Sequence, residues 1–445
     1  GRINGEGVVE VDVLKISADS TLSRLIKMVN EAESKQSPTQ QFTKNIEKYY
    51  VPFILLFVII LCFAFLVLSE TPAESFYRAM RVLVGGSPCA LAISTPSAVL
   101  SGIARAAKER VLIKGGKALE VLGGLHTIAF DKTGTLTEGI PIVKNIEVYN
   151  MTENELVNIL FAVESLSTHP IAKSIVKKCN EILKGNRNDI KVSDIKNIAG
   201  KGIVSVINNE KVYIGSRNLM IESGFTLTQE TEDKIDEFAE KGYTTMIVGL
   251  ENKGISGIVS LIDEPREGVK EVVRTLKEIG VADIMMLSGD NPKVAQTIGS
   301  ELGITTVKGG LLPEDKLKEI EKVKNSGLTI AMVGDGVNDA PAMAVSNVGI
   351  AMGAAGSDVA LETADVALLA DKLENLAFVI GLSKEAKKII RQNLIISLGM
   401  IVFLIPASLF GLTEMGPTVI FHEGTTVAVV FNALRLLTYK NKLKK

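Results

Sequence analysis

Cysteine and excess charge are both scarce in this chain, and each scarcity excludes a class of protein. Among 445 residues there are three cysteines, Cys62, Cys89 and Cys179. Their spacing fits neither a disulfide framework nor a zinc ribbon, so we expect a reducing, cytosol-facing setting. Lysine and arginine total 49 against 51 acidic residues, and no basic stripe is present. The sequence therefore gives no sign of a nucleic-acid partner.

The N-terminus lacks the pattern of a secretory signal peptide, because no charged head precedes an apolar segment. Its first residues are instead typical of the interior of a β-rich domain. Apolar residues, by contrast, are abundant: 46% of the chain is hydrophobic and the mean hydropathy is +0.27. Such a composition predicts membrane segments combined with soluble domains.

Four apolar stretches are long enough to cross a hydrocarbon core of about 30 Å as helices, which takes roughly 20 residues. They form two hairpins with lysines clustered at the outer ends, so the positive-inside tendency places those ends in the cytoplasm. The predicted spans are residues 51–68, 82–104, 393–412 and 415–434.

Between the hairpins, short apolar runs alternate with helical patterns as in a parallel α/β sheet. The runs at residues 126–130, 282–287 and 328–333 each end at a turn rich in Gly and Asp. Because the carboxyl ends of parallel strands share one edge, we expect the three turns to meet in one crevice. Residues 141–257 are more polar and include a hairpin signal at Asn208 and Asn209, which predicts an inserted domain.

The first turn, DKTGTLTEG, begins with Asp131. A carboxylate at a strand end, followed by threonines and a glycine that present backbone amides, suits nucleophilic attack on a phosphoryl group and formation of an aspartyl phosphate. A simple turn begun by aspartate is the alternative, and it leaves the rest of the string unexplained.

The other turns supply groups that such a reaction needs. Asp335 and Asp339 in GDGVND can face one side of a nascent helix as oxygen ligands for Mg²⁺, although one of them could be an acidic helix cap. SGDN, residues 288–291, can hold phosphate through hydroxyl and backbone donors. Lys316 in PEDK could neutralise charge on the transferring group, or lie on the surface.

Together, DKTGTLT, SGDN, PEDK and GDGVNDAPA resemble the P-type ATPases, whose phosphorylation domain is similar to the haloacid dehalogenase fold. The resemblance runs through essentially the whole chain and implies ATP as phosphate donor and Asp131 as the phosphorylated residue. It implies a catalytic set of Asp131, Lys132, Thr133, Asp290 and Lys316, and an Mg²⁺ set of Asp131, the Thr133 carbonyl, Asp335 and Asp339.

The inserted domain resembles the nucleotide-binding domain of the heavy-metal branch of this family. An imidazole can stack on adenine, and paired glycines let the backbone approach a ligand closely, although a His-Pro pair is usually just a helix start. Thr168 stands where the family usually has Glu. The implied nucleotide-binding residues are Glu164, His169 (followed by Pro170), Gly200, Gly202 and Gly215.

The second span contains GGSPCALAISTP, in which Pro88 cannot donate a hydrogen bond to the Val84 carbonyl. We expect a freed carbonyl beside Cys89, and the alternative is a kinked packing helix with an inert cysteine.

The fourth span contains FHEGTT, with a histidine and a glutamate side by side. Placing an ionisable group at that depth in a membrane costs at least about 2.5 kcal/mol, so these residues indicate a functional site. The alternative is that His422 only makes hydrogen bonds to a neighbouring helix, but this would leave Glu423 unexplained. The predicted metal-ion ligands are Ser87, Cys89, His422, Glu423 and Thr426.

Sulfur, nitrogen and oxygen donors together suit borderline divalent ions such as Zn²⁺ or Co²⁺, whereas Cu(I) prefers thiolates and thioethers. SPC and HEG-T resemble the subgroup of heavy-metal pumps associated with cobalt, zinc, cadmium and sometimes iron or nickel. Thr425 stands where that subgroup commonly has a second glycine.

The resemblance also implies an actuator domain with a TGE motif, preceded by further transmembrane helices, and neither is in this sequence. We therefore expect an N-terminally truncated chain.

The predicted multidomain fold combines α-helical transmembrane hairpins, an α/β haloacid dehalogenase-like phosphorylation domain and an inserted α+β nucleotide-binding domain. The predicted order is an actuator remnant (1–40), a transmembrane hairpin (41–105), the first segment of the phosphorylation domain (106–140), the nucleotide-binding domain (141–257), the second segment of the phosphorylation domain (258–375) and a second hairpin (376–445).

The predicted function is ATP-driven efflux of a divalent ion of cobalt, zinc or cadmium across the cytoplasmic membrane, by a multi-pass protein whose soluble domains lie in the cytoplasm. Its predicted partners are ATP, Mg²⁺, the transported ion and the lipid bilayer. The alternatives are a copper- or potassium-type pump, a membrane-anchored phosphohydrolase that does not transport, and a non-catalytic metal-sensing remnant.

Overall fold

The computed structural model describes residues 37–167, 169–185, 190–198, 201–335, 339–353, 362–370 and 372–440. The chain divides into two compact units. Unit one comprises Gly1–His126, Thr329–Ala331 and Ser346–Lys445, and unit two comprises Thr127–Leu328 and Met332–Val345. Most of the predicted actuator remnant lies outside the described residues, which begin at Ser37.

In chain order, the helices are α1 (Pro38–Cys62), α2 (Pro72–Gly85), α3 (Cys89–Lys108), α4 (Gly116–Leu122), α5 (Glu153–Glu164), α6 (Pro170–Leu183), α7 (Arg217–Glu222), α8 (Gln229–Glu240), α9 (Val269–Glu278), α10 (Pro292–Leu302), α11 (Pro313–Asn325), α12 (Ala340–Val345), α13 (Glu374–Leu409) and α14 (Met415–Leu434). The strands are β1 (Val111–Ile113), β2 (Thr127–Asp131), β3 (Ile142–Val148), β4 (Val192–Ile198), β5 (Gly202–Ile207), β6 (Glu210–Gly215), β7 (Thr244–Leu250), β8 (Gly254–Ile262), β9 (Asp283–Leu287), β10 (Thr306–Lys308), β11 (Ile330–Gly334), β12 (Val348–Met352) and β13 (Val366–Leu368).

Unit one is built on long helices, and its described residues include four segments long and apolar enough to cross a membrane. The last, α14, coincides with the predicted span 415–434. The third, α13, has 36 residues and begins well before the predicted residue 393. At 1.5 Å per residue it is about 54 Å long, so one end extends beyond a hydrocarbon core of about 30 Å.

The second predicted span is two helices rather than one. A capping box at Thr71 and Glu74 begins α2, and the helix ends at Gly85. Pro88 then precedes α3 in a conformation outside the regular helical region. The predicted kink is therefore a complete break, because the missing N–H of Pro88 follows two flexible glycines.

The helices of unit one pack through small and branched apolar residues. Helix α3 packs against α13 and α14, and α1 packs against α2, where Ile54 and Val58 meet Ala79 and Val82. In the same unit, β1 pairs antiparallel with β13, which pairs parallel with β12.

Unit two contains a set of parallel strands, of which β2 and most of β9 are buried. Strand β2 pairs with β9, with Asp131 opposite Leu287, and β9 pairs with β10. All five residues of β2 are buried. Strands β2 and β9 match two of the predicted apolar runs, because strands covered on both faces are continuously hydrophobic; β10 is only partly buried and was not predicted. The parallel pairing places the ends of β2 and β9 at one edge, as predicted.

The inserted region of unit two is an antiparallel sheet of six strands in the order β3-β8-β7-β6-β5-β4. The predicted hairpin is present as β5 and β6, and Asn208 and Asn209 have φ angles of 48° and 67° at its turn. Positive φ at both positions is the geometry that two-residue hairpin turns need. The sheet runs on to Ile262, five residues past the predicted domain end at 257.

Helices cover both faces of this sheet. On one face, α5 and α6 pack on residues that include Val248 and Val259. On the other, α7 and α8 pack on Ile247 and Ile258. Neighbouring strand residues point to opposite faces, so these two pairs belong to separate apolar cores.

Candidate phosphorylation and metal sites

The carboxylate at the end of β2 lies in a cluster of charged side chains. Asp131 is 8% exposed, and its Oδ1 accepts a hydrogen bond from Lys316 Nζ at 2.5 Å. The same ammonium donates to Asp339 Oδ1 at 3.0 Å. Lys316 lies in the first turn of α11, Asp131 ends β2, and Asp339 directly precedes α12. Lys316 is thus a half-buried partner of two carboxylates rather than a surface lysine.

Charge in this cluster is unbalanced, and the pKa values reflect it. Burial, with repulsion from Asp339, raises the pKa of Asp131 to about 6 against the pull of Lys316. Burial also raises the pKa of Asp339. For Lys316, burial acts to lower the pKa, but Asp131 and Asp339 outweigh it and the pKa ends above its ordinary value. One ammonium shared by buried carboxylates leaves excess negative charge, which favours the uptake of a proton or another cation.

Lys132, although adjacent to Asp131, has other partners. Its Nζ lies 2.5 Å from Asp290 Oδ2 and 4.0 Å from Asp263 Oδ2. The predicted catalytic residues therefore form one cluster around Lys316 and a second pair of Lys132 with Asp290. Thr133, the remaining member, is exposed.

The predicted Mg²⁺ ligands suit that ion in kind, because Mg²⁺ takes carboxylate and carbonyl oxygens. Repulsion from Asp335 and Asp339 contributes to the raised pKa of Asp131, so a divalent cation at these carboxylates would lower the energy of the cluster. In the described residues, no group of three or more His, Cys, Asp or Glu side chains has the geometry to hold a metal ion. Asp339, with its carboxylate on Lys316, is held as a partner of that lysine.

The SGDN turn after β9 uses some of its hydrogen-bonding capacity internally. The Asp290 N–H donates to Ser288 Oγ at 3.1 Å, and Asn291 caps α10 by accepting from the Lys293 N–H at 2.8 Å. Thr244, on β7 of the inserted sheet, donates to Asp290 Oδ2 at 3.5 Å. Asp290 thus links the inserted sheet to Lys132.

Glu164, at the end of α5, has an unusual environment for a carboxylate. It is 2% exposed, and its Oε1 is buried with no hydrogen-bond partner among the described residues. Burial raises its pKa to about 7. A buried polar atom without a partner is costly, so Glu164 is the strongest candidate in this domain for contact with a ligand.

The other predicted nucleotide residues have structural reasons for their identity. His169 is exposed and caps α6, with its Nδ1 accepting from the Ile171 N–H at 3.3 Å. Gly202 and Gly215 face each other across β5 and β6. A Cβ on Gly202 would lie 2.2 Å from the Ile214 carbonyl oxygen, so the close approach is between two strands. Gly200 lies outside the described residues.

In the broken second span, Ser87 Oγ and the exposed Cys89 Sγ lie 3.0 Å apart. The expected free carbonyl of Val84 is a wrong prediction, because this oxygen accepts from the Ser87 N–H at 3.2 Å. The break allows this, since the chain turns tightly before Pro88. Tyr50 donates from its hydroxyl to the Gly86 carbonyl at 2.5 Å.

In α14, His422 is buried and its Nε2 lies 3.8 Å from Glu423 Oε1. The Glu423 side chain is 64% exposed. Thr426 is half-buried and donates to the His422 carbonyl at 3.3 Å. The predicted ligands thus form two local groups, Ser87 with Cys89 at the start of α3, and His422 with Glu423 and Thr426 on α14. Helices α3 and α14 pack against each other.

Two buried polar groups in the membrane helices lie outside the predicted set of metal-ion ligands. Thr425 is buried on the same helical stripe as His422 and donates to the Phe421 carbonyl at 2.7 Å. Asn393 is fully buried in α13, donates to the Val429 carbonyl at 3.1 Å and accepts from Asn432 at 2.8 Å. The sequence could have indicated the Asn393 group, because a side-chain amide in an apolar span needs hydrogen-bond partners on other helices.

Asp263 and Arg266 in unit two were also missed as site residues. Asp263 is buried and accepts from Thr137 Oγ1 at 2.5 Å. Arg266 donates from Nε to the Thr137 carbonyl and from Nη2 to the Gly134 carbonyl, both at 3.0 Å. Both residues thus contact the turn that follows Asp131.

Comparisons with known proteins agree with this geometry. The haloacid dehalogenase-like hydrolase family matches residues 125–347. The cadmium-transporting ATPase of Staphylococcus aureus is 40% identical over 448 residues, covering 99% of this chain and 61% of that protein. The zinc-transporting ATPase of Bacillus subtilis (strain 168) is 38% identical, covering 98% of this chain and 68% of that protein.

A solved structure also matches: a zinc-transporting PIB-type ATPase in the E2.Pi state has a TM-score of 0.68 and 38% identity, covering 96% of this chain and 69% of that one. The chain thus spans 61% of the cadmium-transporting relative. The predicted family and fold class, transmembrane helices with a dehalogenase-like domain, are confirmed. The chain belongs to the heavy-metal-translocating P-type ATPases.

Proposed function

We propose that this chain carries out ATP-driven efflux of a divalent heavy-metal ion, cobalt, zinc or cadmium, across the cytoplasmic membrane. The buried cluster of Asp131, Lys316 and Asp339 carries this proposal, because it suits phosphoryl transfer in a chain with membrane-crossing helices. The named relatives are cadmium and zinc transporters. They favour neither a copper-type pump nor a phosphohydrolase without transport.

In the proposed reaction, a carboxylate oxygen of Asp131 attacks the γ-phosphorus of ATP. The bond from that phosphorus to the bridging oxygen breaks, ADP leaves and an aspartyl phosphate remains. Lys316 keeps its proton and offsets negative charge on the transferring group. Asp131, Asp335 and the Thr133 carbonyl would hold Mg²⁺, which supplies further positive charge beside the phosphate. Water then releases inorganic phosphate and restores the carboxylate.

The inserted domain is proposed to bind the adenosine of ATP. Glu164 offers a buried oxygen without a partner, which suits an amino group of a purine. His169 lies exposed at the start of α6, where its ring can reach a ligand. Gly200, Gly202 and Gly215 are proposed to shape the same pocket.

The transported ion is proposed to bind between α3 and α14 as the substrate of the pump. Cys89 and Ser87 supply sulfur and hydroxyl groups, and His422, Glu423 and Thr426 supply nitrogen and oxygen. This mixed set suits a borderline divalent ion. Its binding would favour the conformation that is phosphorylated, so the two sites would be linked energetically.

The test is acid-quenched labelling of the 445-residue chain with γ-³²P-labelled ATP, Mg²⁺ and a heavy-metal ion. We expect a label that hydroxylamine removes and that Asp131→Asn abolishes. Asp236→Asn, a change at an exposed carboxylate of the same unit, should keep the label. A label that survives Asp131→Asn would contradict the proposal, as would no label with any divalent metal.

A further inference from the structure

The segments that enter and leave the inserted sheet lie side by side, directly after the turn that follows Asp131. Thr137 and Pro265 form an antiparallel bridge. The Arg266 N–H donates to the Leu136 carbonyl at 2.9 Å, and the Glu138 N–H donates to the Glu264 carbonyl at 3.1 Å. The phosphorylation turn, Lys132–Leu136, is therefore anchored by main-chain bonds where the inserted sheet returns.

The side chain of Arg266 also holds the phosphorylation turn, in addition to the main-chain bonds. Its guanidinium donates to the carbonyls of Gly134 and Thr137, each at 3.0 Å. The planar fork of donors has a fixed shape, so it sets the separation of the two carbonyls. Gly134 has a φ of 75°, and the Thr133 carbonyl proposed for Mg²⁺ belongs to the preceding peptide. Holding the Gly134 peptide thus constrains the direction of that carbonyl.

Asp263 holds the same turn with the opposite charge. Its Oδ2 accepts from Thr137 Oγ1 at 2.5 Å, and its Oδ1 accepts from the Gly139 N–H at 2.9 Å. The carboxylate also lies 4.0 Å from Lys132 Nζ. A buried carboxylate is tolerated only with such partners, and here the turn supplies them.

We propose that Arg266 and Asp263 are positioning residues that hold the phosphorylation turn in the shape that accepts a phosphoryl group and binds Mg²⁺. This inference rests on the proposed function. The two residues touch the turn rather than the reacting atoms, so they act through Gly134 and Thr137. A role confined to anchoring the inserted domain is the competing explanation, and it would affect ATP but not a small phosphoryl donor.

The experiment compares two donors, γ-³²P-labelled ATP and ³²P-labelled acetyl phosphate, on the 445-residue chain. Arg266→Gln should slow labelling from both donors by about 100-fold, the cost of misplacing a reacting group by about 1 Å. It should also raise the Mg²⁺ concentration for half-maximal labelling. Arg266→Lys, which keeps the charge but loses the fork, should be intermediate, and so should Asp263→Asn. Glu264→Gln, half exposed and paired with Lys144, should label as the unsubstituted chain does.

Loss of labelling from ATP with normal labelling from acetyl phosphate would overturn the proposal in favour of domain anchoring. Equal rates and equal Mg²⁺ dependence in Arg266→Lys and the unsubstituted chain would overturn it too, and this holds even where Arg266→Gln does not fold. Absence of label in the unsubstituted chain with both donors would instead contradict the proposed function, so the two failures are distinguishable.

Discussion

The cluster around Asp131 and the polar groups of the membrane helices differ in how firmly their side chains hold one another. In the first, Lys316 lies within hydrogen-bond distance of two buried carboxylates. In the second, Cys89 is exposed beside Ser87, and buried His422 lies 3.8 Å from an exposed Glu423. In the cluster around Asp131, the positions of the side chains are set by ion pairs within the protein. We therefore expect single substitutions to have larger effects there than in the membrane helices.

The largest effect is expected for Lys316→Met, which leaves Asp131 and Asp339 buried without their shared cation. It also removes positive charge from the transferring phosphate, so the initial rate of labelling from ATP should fall by about 1,000-fold. Lys318→Met is the matched control, since this exposed lysine lies in the same helix and pairs with Asp315. A loss below tenfold for Lys316→Met would break the contrast with the membrane helices.

The next effect concerns Glu164 and pH. Burial raises its pKa from 4.5 to about 7, so between these values the folded chain keeps a proton that the unfolded chain has lost. Raising the pH through this window should therefore lower the free energy of unfolding, by roughly 3 kcal/mol at most. Thermal melting without nucleotide should show this slope, and Glu164→Gln should make it shallower; the slope that remains comes from Asp131 and Asp339, whose pKa values burial also raises. Glu181→Gln, at an exposed carboxylate, should retain the full slope. A slope unchanged in Glu164→Gln would contradict the assigned burial.

In the membrane helices, Cys89→Ala and His422→Ala should each weaken binding of the heavy-metal ion by about 10- to 100-fold. Labelling from acetyl phosphate without that ion should stay within about twofold, because the cluster around Asp131 is complete without these residues. Equilibrium metal binding and labelling are measured on the same preparations. Cys62→Ala is the control on α1. Equal affinity in all three variants would refute the membrane site.

The smallest effect separates two neighbouring threonines. Thr425 shares the buried stripe of α14 with His422, whereas Thr426 is half-buried. If the buried face carries the ion site, Thr425→Val should weaken metal binding by about fivefold, the equivalent of one hydrogen bond, and Thr426→Val by less. A larger loss of metal affinity in Thr426→Val than in Thr425→Val would instead support the sequence-based prediction that Thr426 is a ligand.

Much of the fold follows from local patterns. The apolar runs became β2, β9 and β11, and the Asn208–Asn209 turn formed because positive φ is tolerated there. The limits of the membrane helices were less predictable. Helix α13 continues through polar residues that hydropathy excludes, and it packs on α4.

The site residues named from the sequence stay predictions, and several contacts between their side chains were not foreseen. Asp131 and Lys316 are separated by 185 positions, and their assignment to one site rested on the chemistry of phosphoryl transfer and on the family resemblance. The partner of Lys132 was not foreseen, because the direction of a buried side chain depends on charges distant in sequence, here Asp290. Arg266 donates to the Gly134 carbonyl, 132 positions away in the sequence. Because the acceptor is a main-chain carbonyl, no residue type near Gly134 could have indicated this bond.

The most direct test is whether a heavy-metal ion controls phosphorylation of Asp131. The initial rate of labelling from ATP is measured with a chelator and with Zn²⁺, Cd²⁺ or Co²⁺ added singly. We predict that at least one ion raises the rate by about tenfold, in the range typical of coupling between two sites, and that Asp131→Asn shows no label. The same rate with the chelator as with every ion would contradict a metal pump.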